Sequence, residues 1–171
     1  VTVDSDLYKT YDSAKINYYG QTQKSGQKLA FYQNGVLQGK YQDQNVFINE
    51  VWLKDALITA FINFMLVRSA WFYNKAGQGY GNAVIQNVID RAKLNGVITT
   101  EKELSENDKN YILNQTSDEN AWRQIYQEGY YLTTWLDEKT VNNQKVKYFC
   151  YKLLYSKGDM IKAVEGSNIL I

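Results

Sequence analysis

Two stretches of the chain repeat apolar residues at helical spacing, and they organise everything around them. The first runs from about Phe47 to Tyr73, where polar residues thin to a single stripe of Glu50, Lys54, Thr59 and Asn63. Glu50 and Lys54 have the i,i+4 spacing of a helical ion pair. The rest is apolar on nearly every side, which predicts a helix packed against several neighbours. Its most apolar part, Ala56 to Val67, is bracketed by Asp55 and Arg68. Along a helix those charges stand about 20 Å apart, short of the ~30 Å of a bilayer core, so a buried core helix is expected. The second stretch, about Asn82 to Leu94, places Val84, Ile85, Val88, Ile89 and Ala92 on one face and stops at Asn95-Gly96.

Strand-like patterns flank these helices. Asp4, Ser5 and Asp6 precede Leu7, Tyr8 and Tyr11, which predicts a short capped helix over residues 4–14. Ile16 to Tyr19, closed by Gly20, and Lys28 to Gln33, ended by Asn34-Gly35, read as two strands around Lys24-Ser25-Gly26. Gly77-Gln78-Gly79-Tyr80-Gly81 reads as a link between the two long helices. Residues 100–114 are polar and read as a surface loop with a helical turn near Asp108 to Leu113. Thr116 to Glu119 has the spacing of a capping box for a short helix carrying Ala121, Trp122, Ile125 and Tyr126. Tyr130 to Lys139 and Lys145 to Tyr155 then read as strands around Asn142-Asn143. The second is apolar on both faces, which predicts a central, covered strand. A last strand is expected from about Met160 to Val164.

The order of elements predicts an α+β fold: a mixed β-sheet covered by two long helices, with extended terminal strands or arms. The 171 residues suit a single domain. A start at Val1 suggests a piece of a longer protein, and no signal-peptide pattern opens it. No internal repeat is evident.

Composition narrows the chemistry. The chain has no His, no Pro and one Cys, Cys150. Without His, neither a Ser-His-Asp nor a Cys-His nucleophile can be assembled, and a His-bearing zinc site is excluded. The single Cys excludes an internal disulfide. A formal net charge of +1 gives no reason to expect nucleic acid or an anionic membrane as partner. Fifteen Tyr, four Trp and six Phe, by contrast, favour a surface built for protein contact.

Other constellations have plain structural readings. Gly77-x-Gly79-x-Gly81 lacks the Lys-Ser/Thr of a phosphate loop and follows a helix rather than a strand. Asp4, Asp6 and Asp12 lack calcium-loop spacing, and the first two are explained by capping and solvation. Asp55, Asp137 and Glu138 are candidate glycosidase carboxylates only as any carboxylate is. Cys150, between Phe149 and Tyr151, reads as a buried inert thiol. Asn114-Gln115-Thr116 matches a glycosylation sequon by chance. Lys145, Lys147, Lys152, Lys157 and Lys162 interleave with aromatics, but Asp137, Glu138, Asp159 and Glu165 dilute their field, which favours a solvated sheet edge. No catalytic, metal-binding or cofactor-binding residue is therefore assigned.

The chain ends are the sharper signal. Ile169-Leu170-Ile171 is apolar and β-prone, and Val1-Thr2-Val3 also has strand propensity. Such ends either add to a neighbour's sheet edge or complete their own sheet. Val1, Val3, Ile169, Leu170 and Ile171 are the candidate subunit-interface residues.

Several short words in the chain together resemble the contractile phage tail sheath-like family, in its C-terminal domain. They are Ala14-Lys15-Ile16-Asn17-Tyr18-Tyr19-Gly20, Phe31-Tyr32-Gln33-Asn34-Gly35 with Gly39 and Asp43, Val51-Trp52-Leu53 opening a long helix, the glycines from Gly77 to Gly81, Asn95-Gly96, and Gly129-Tyr130-Tyr131. Where that family has a Lys-x-Pro pattern before its second helix, this chain has Trp71-Phe72-Tyr73-Asn74-Lys75-Ala76.

The resemblance implies a structural virion protein whose subunits form stacked rings around a tail tube, with terminal arms threaded into neighbours' sheets. It implies a homo-oligomer with the tube protein as second partner, and no enzyme activity, cofactor, nucleic acid or membrane insertion. The expected location is the phage tail, assembled in the host cytoplasm. A tail accessory or baseplate module, and a carboxylate-based cell-wall glycosidase, are the alternatives.

Overall fold

Five helices and two antiparallel hairpins make up the structure, a computed structural model that describes residues 5–24, 27–33, 35–39 and 43–161. In chain order they are α1 (Ser5–Ser13), β1 (Tyr18–Lys24), β2 (Gln27–Gln33), α2 (Gln44–Val67), α3 (Lys75–Leu94), α4 (Glu106–Thr116), α5 (Ala121–Glu128), β3 (Tyr130–Val141) and β4 (Gln144–Tyr155). Contacts divide the chain into two units, Val1–Val51 and Trp52–Ile171. The expected α+β class holds.

The expected mixed sheet is instead two separate two-stranded antiparallel sheets among the described residues, β1-β2 and β3-β4. The reason lies in the connections. Each strand pairs with its immediate sequence neighbour, whereas parallel neighbours would need a crossover of a dozen or more residues. The residues between the two hairpins pack as helices against β3-β4 instead. Residues of the expected last strand beyond Ile161 lie outside the described residues.

In the first unit, β1 and β2 pair from Tyr18↔Gln33 to Lys24↔Gln27. Tyr11 of α1 lies 5.0 Å from the Tyr18 ring, and Tyr18 donates its hydroxyl hydrogen to Gln33 Oε1 at 2.9 Å. Asn17 mimics a strand neighbour: its side chain donates to Val36 O and accepts from Val36 N, both at 2.8 Å.

In the second unit the core is α3 against α2. Ile85, Val88, Ile89 and Ala92 are fully buried, which matches the face read from the sequence, and Leu53 and Leu57 of α2 pack with them. Two helix boundaries differ from expectation. The helix α2 ends at Val67 rather than near Tyr73, and among the described residues it buries one side only, leaving Ile58, Ile62, Met65 and Leu66 exposed. The Gly77 to Gly81 stretch is not a linker but the first turns of α3. Asn74 caps that helix by accepting from Gly77 N at 2.8 Å. A side chain at Gly77 would overlap the Phe72 carbonyl, and one at Gly81 would overlap the Phe149 ring. The glycines are there for close approach.

The polar stretch after residue 100 also folds further than expected. Ser105 and Asp108 form a reciprocal capping box that starts α4. Thr116, expected to open such a box, closes α4, with its hydroxyl donating to Ile112 O at 2.8 Å. Asn120 precedes α5 without a side-chain cap.

Candidate subunit-interaction site

The β3-β4 hairpin is pinned at its tip by Asn142 and Asn143, both in the left-handed region with φ of 49° and 61°. Two such residues between paired Val141 and Gln144 make the type I′ turn whose twist suits a hairpin. Alternation then sorts the side chains. Tyr130, Leu132, Phe149, Leu153 and Tyr155 pack on the α2-α3 core. Tyr131 and Leu154, on the opposite face, pack on Ile112, Ala121 and Ile125 of α4 and α5. The ribbon is thus a layer two strands wide with helices on both sides.

The expectation of a covered strand is met in part. Helices cover the base of β4 on both faces, but along its length it pairs only with β3 among the described residues. It is an edge strand, because a hairpin has two edges whatever its faces carry. Ser156 N donates to Gly129 O at 2.8 Å. Antiparallel alternation therefore aims the main-chain groups of Tyr155, Leu153, Tyr151 and Phe149 away from β3. At the base that side is already used: Thr99 N donates to Ser156 O at 3.1 Å and Gly158 N to Val97 O at 3.0 Å, around the bridge Ile98↔Lys157.

A cavity of about 450 Å³ lies along this edge, walled by Leu153 to Ser156 of the strand end, by Leu104, and by Tyr111 and Ile112 of α4. Ser156 Oγ is buried there with no hydrogen-bond partner among the described residues. Lys102, also in the wall, donates to Asp159. That hydrogen bond holds the Asp159 carboxyl below the usual carboxylate range, against partial burial. The arrangement offers a wall of apolar and charged side chains and, at Leu153, Tyr151 and Phe149, outward backbone groups, which suits an extended peptide.

Val1, Val3, Ile169, Leu170 and Ile171 all lie outside the described residues, as do Asp4, Lys162 and Glu165. The other sequence candidates are not brought together. Asp137 and Glu138 pair with Lys139 at 3.7 Å and Lys145 at 2.9 Å on the exposed half of the hairpin. Asp55 lies exposed on α2. Asp6 faces Lys9 at 4.0 Å, and no group of three metal-ligating side chains occurs among the described residues. The strand lysines are engaged: Lys147 lies over the Tyr73 ring, Lys152 donates to Gln115 O at 2.8 Å, and Lys157 pairs with Asp159 at 3.6 Å. Cys150 is half-buried, opposite Trp135. The β4 edge and its cavity escaped sequence reasoning. The two-faced apolar pattern marks a covered strand but does not say how many strands share the layer.

The second unit thus combines a helical pair, a ribbon layered between helices and a strand edge left open among the described residues. The chain belongs to the family described as E217 tail sheath protein gp31-like, C-terminal domain, whose model matches residues 44–170. The match begins at the first residue of α2. Val51-Trp52-Leu53 and the later words of the resemblance fall inside it, and those before Asp43 fall outside. No curated protein matches the chain. Family membership makes this a phage tail sheath-like structural domain, and it implies assembly with other sheath subunits and a tail tube. No helix among the described residues is long and apolar enough to cross a membrane.

Proposed function

We propose that the chain is the C-terminal domain of a contractile tail sheath subunit, which polymerises into stacked rings around the tail tube by exchanging terminal strands. The observation that carries this reading is the edge of β4 left unpaired among the described residues, beside a cavity walled by the strand end and α4 with both apolar and charged side chains. A strand added there would satisfy the outward backbone groups of β4 and complete a layer whose helical covers already exist. Val1 and Val3, or Ile169, Leu170 and Ile171, from a neighbouring copy have the apolar, β-prone character such a strand needs. In this reading the domain transmits force through shared backbone ribbons and performs no catalysis. It needs no cofactor, and it assembles in the host cytoplasm before release in the virion. Its single-domain span, residues 1–171, is part of a longer subunit.

The test uses the outward N–H of Tyr151. Tyr151→Pro removes that donor without touching the β3 ladder. The expected outcome, by electron microscopy of the full-length subunit, is loss of tube formation with the parental circular dichroism, while Tyr151→Ala, which loses the same ring contact with Phe61 but keeps the N–H, still forms tubes. Tubes formed as readily by Tyr151→Pro, or by chains with Ile169 and Ile171 changed to Lys, would overturn strand exchange at this edge. A parent protein present in a few copies per particle rather than in stacked rings would select an accessory or baseplate role instead.

A further inference from the structure

The two helical layers on either side of the β3-β4 ribbon carry opposite unpaired charge. On the α2-α3 side, Arg68, Lys75 and Arg91 have no ion pair among the described residues, against two acids in the same state, Asp55 and Asp90, so the unpaired charge there is net positive. On the α4-α5 side, Glu101, Glu103, Asp118 and Glu119 have none either, against the cation Arg123, which lies over the Trp122 ring, so the unpaired charge there is net negative. The acids that do have partners there are used internally: Asp108 caps α4, Glu106 pairs with Lys109 at 2.7 Å and Glu128 with Lys93 at 3.6 Å.

The shapes match the charges. Between α2 and α3 runs an open apolar groove of about 650 Å³, walled by Ala60, Phe64, Val84 and Val88. Val67 and Leu94, the last residues of α2 and α3, lie in its wall and are 86% and 87% exposed. Arg68 and Arg91 also line it, with Arg68 stacked 3.7 Å from the Tyr80 ring centroid and so held in place. The one acid in that wall, Asp90, accepts from Gln86 at 2.8 Å. On the opposite layer the free acids sit beside exposed tyrosines. Glu103 shares a cavity wall with Tyr111, which is 63% exposed, and Glu101 N donates to the carbonyl of Tyr126 at 2.7 Å.

We infer that the α2-α3 groove of one copy receives the α4-α5 face of a second copy of this chain, tyrosine into the apolar groove and carboxylates onto Arg68 and Arg91. Because the two surfaces lie on opposite sides of the ribbon, the contact is heterologous, and its repetition gives a ring or a filament rather than a closed dimer. This rests on the sheath reading for the presence of many copies. It does not use the terminal strands.

The experiment is sedimentation velocity of the 171-residue chain at rising salt, with two charge-reversed variants. One is Arg68→Glu/Arg91→Glu and the other Glu101→Lys/Glu103→Lys/Glu119→Lys. All five positions are exposed, so both variants should keep the parental circular dichroism. The parent chain is expected to self-associate, with an apparent Kd that weakens about tenfold or more between low and high salt. Each variant alone should remain monomeric, and an equimolar mixture should regain association, because every reversed face then meets a complementary one. A parent chain that stays monomeric at low salt, variants that associate as well as the parent, or a mixture that fails to recover would each overturn the inference. Tyr151→Pro leaves this salt-sensitive association in place, so failure of face pairing and failure of strand exchange are seen separately.

Discussion

The chain carries two antiparallel hairpins of different standing. In β1-β2 the rings of Tyr19, Phe31 and Tyr32 are each about half exposed or more. In β3-β4 the base of the ribbon is closed between Tyr130, Leu132 and Leu153 on one face and Tyr131 and Leu154 on the other. Topology is the same in both cases. The difference is that residues 52–128 supply two amphipathic layers for the second hairpin. A hairpin alone is marginal in water. The one built between helices belongs to the stretch that matches the sheath family, and the other precedes it. Helical support is therefore concentrated on the ribbon that belongs to the family-matched stretch.

The sharpest way to break this comparison is to empty the core behind one hairpin and thin the other. Ile89 is fully buried in α3, and Ile89→Ala should cost about 3 kcal/mol, read as a large fall in denaturant midpoint. Phe31→Ala in the first hairpin removes a ring that is 49% exposed and should cost about 1 kcal/mol or less. Equal losses at the two positions would mean that the hairpins share one level of support.

The close approach of α3 to β4 gives the next effect. Gly81→Ala places a Cβ about 2.5 Å from the Phe149 ring. The ring is also packed by Trp71, 5.2 Å away, and by Phe61, 5.9 Å away, so it has little room to retreat. A loss of about 2 kcal/mol is expected by chemical denaturation. A neutral or stabilising result, as helix propensity alone would give, would show that helix and ribbon are loosely joined.

How much was legible beforehand follows from which interactions are local. The buried face of α3 and the turn at Asn142-Asn143 depend on residues a few positions apart, and both can be read from spacing. The role of Gly81 cannot, because its reason is Phe149, distant in sequence. The exposed side of α2 was misread for a similar cause. An all-round apolar helix predicts partners on every side, and among the described residues α2 has them on one side only. The pattern at β4 was right about its faces and silent about its edge, since edges depend on the number of strands in a layer. The candidate terminal residues were chosen by composition alone, and their placement lies beyond the described structure.

A smaller effect separates the layers by pH. Ser105 donates to Asp108 from its side chain at 2.6 Å and from its backbone N–H at 3.1 Å, and these bonds lower the Asp108 pKa. A carboxyl lowered in the folded state contributes stability that is present above its unfolded value, near 3.9, and lost as pH falls through the folded value. Ser105→Ala should cost about 1 kcal/mol at neutral pH. Below about pH 3 the gap to the parent should narrow, because protonation removes the same interaction. A gap that stays constant across the acid range would assign the loss to helix propensity rather than to the capping box.

The smallest expected change sharpens the comparison at the ribbon tip. Asn142 and Asn143 both hold positive φ, a conformation that Asn tolerates and Gly adopts freely. Asn143→Gly should therefore relieve the second turn position, although the added freedom of the unfolded chain offsets part of the gain. The net is about 0.5 kcal/mol of stabilisation, visible as a small rise in melting temperature. The tip lies on the exposed half of the hairpin, far in register from the Tyr130↔Tyr155 base where the helices pack. If the ribbon is held by its base, the gain should stay that small and leave subunit association unchanged. A rise of several kcal/mol would mean instead that the turn, not the helical layers, controls whether β3 and β4 pair.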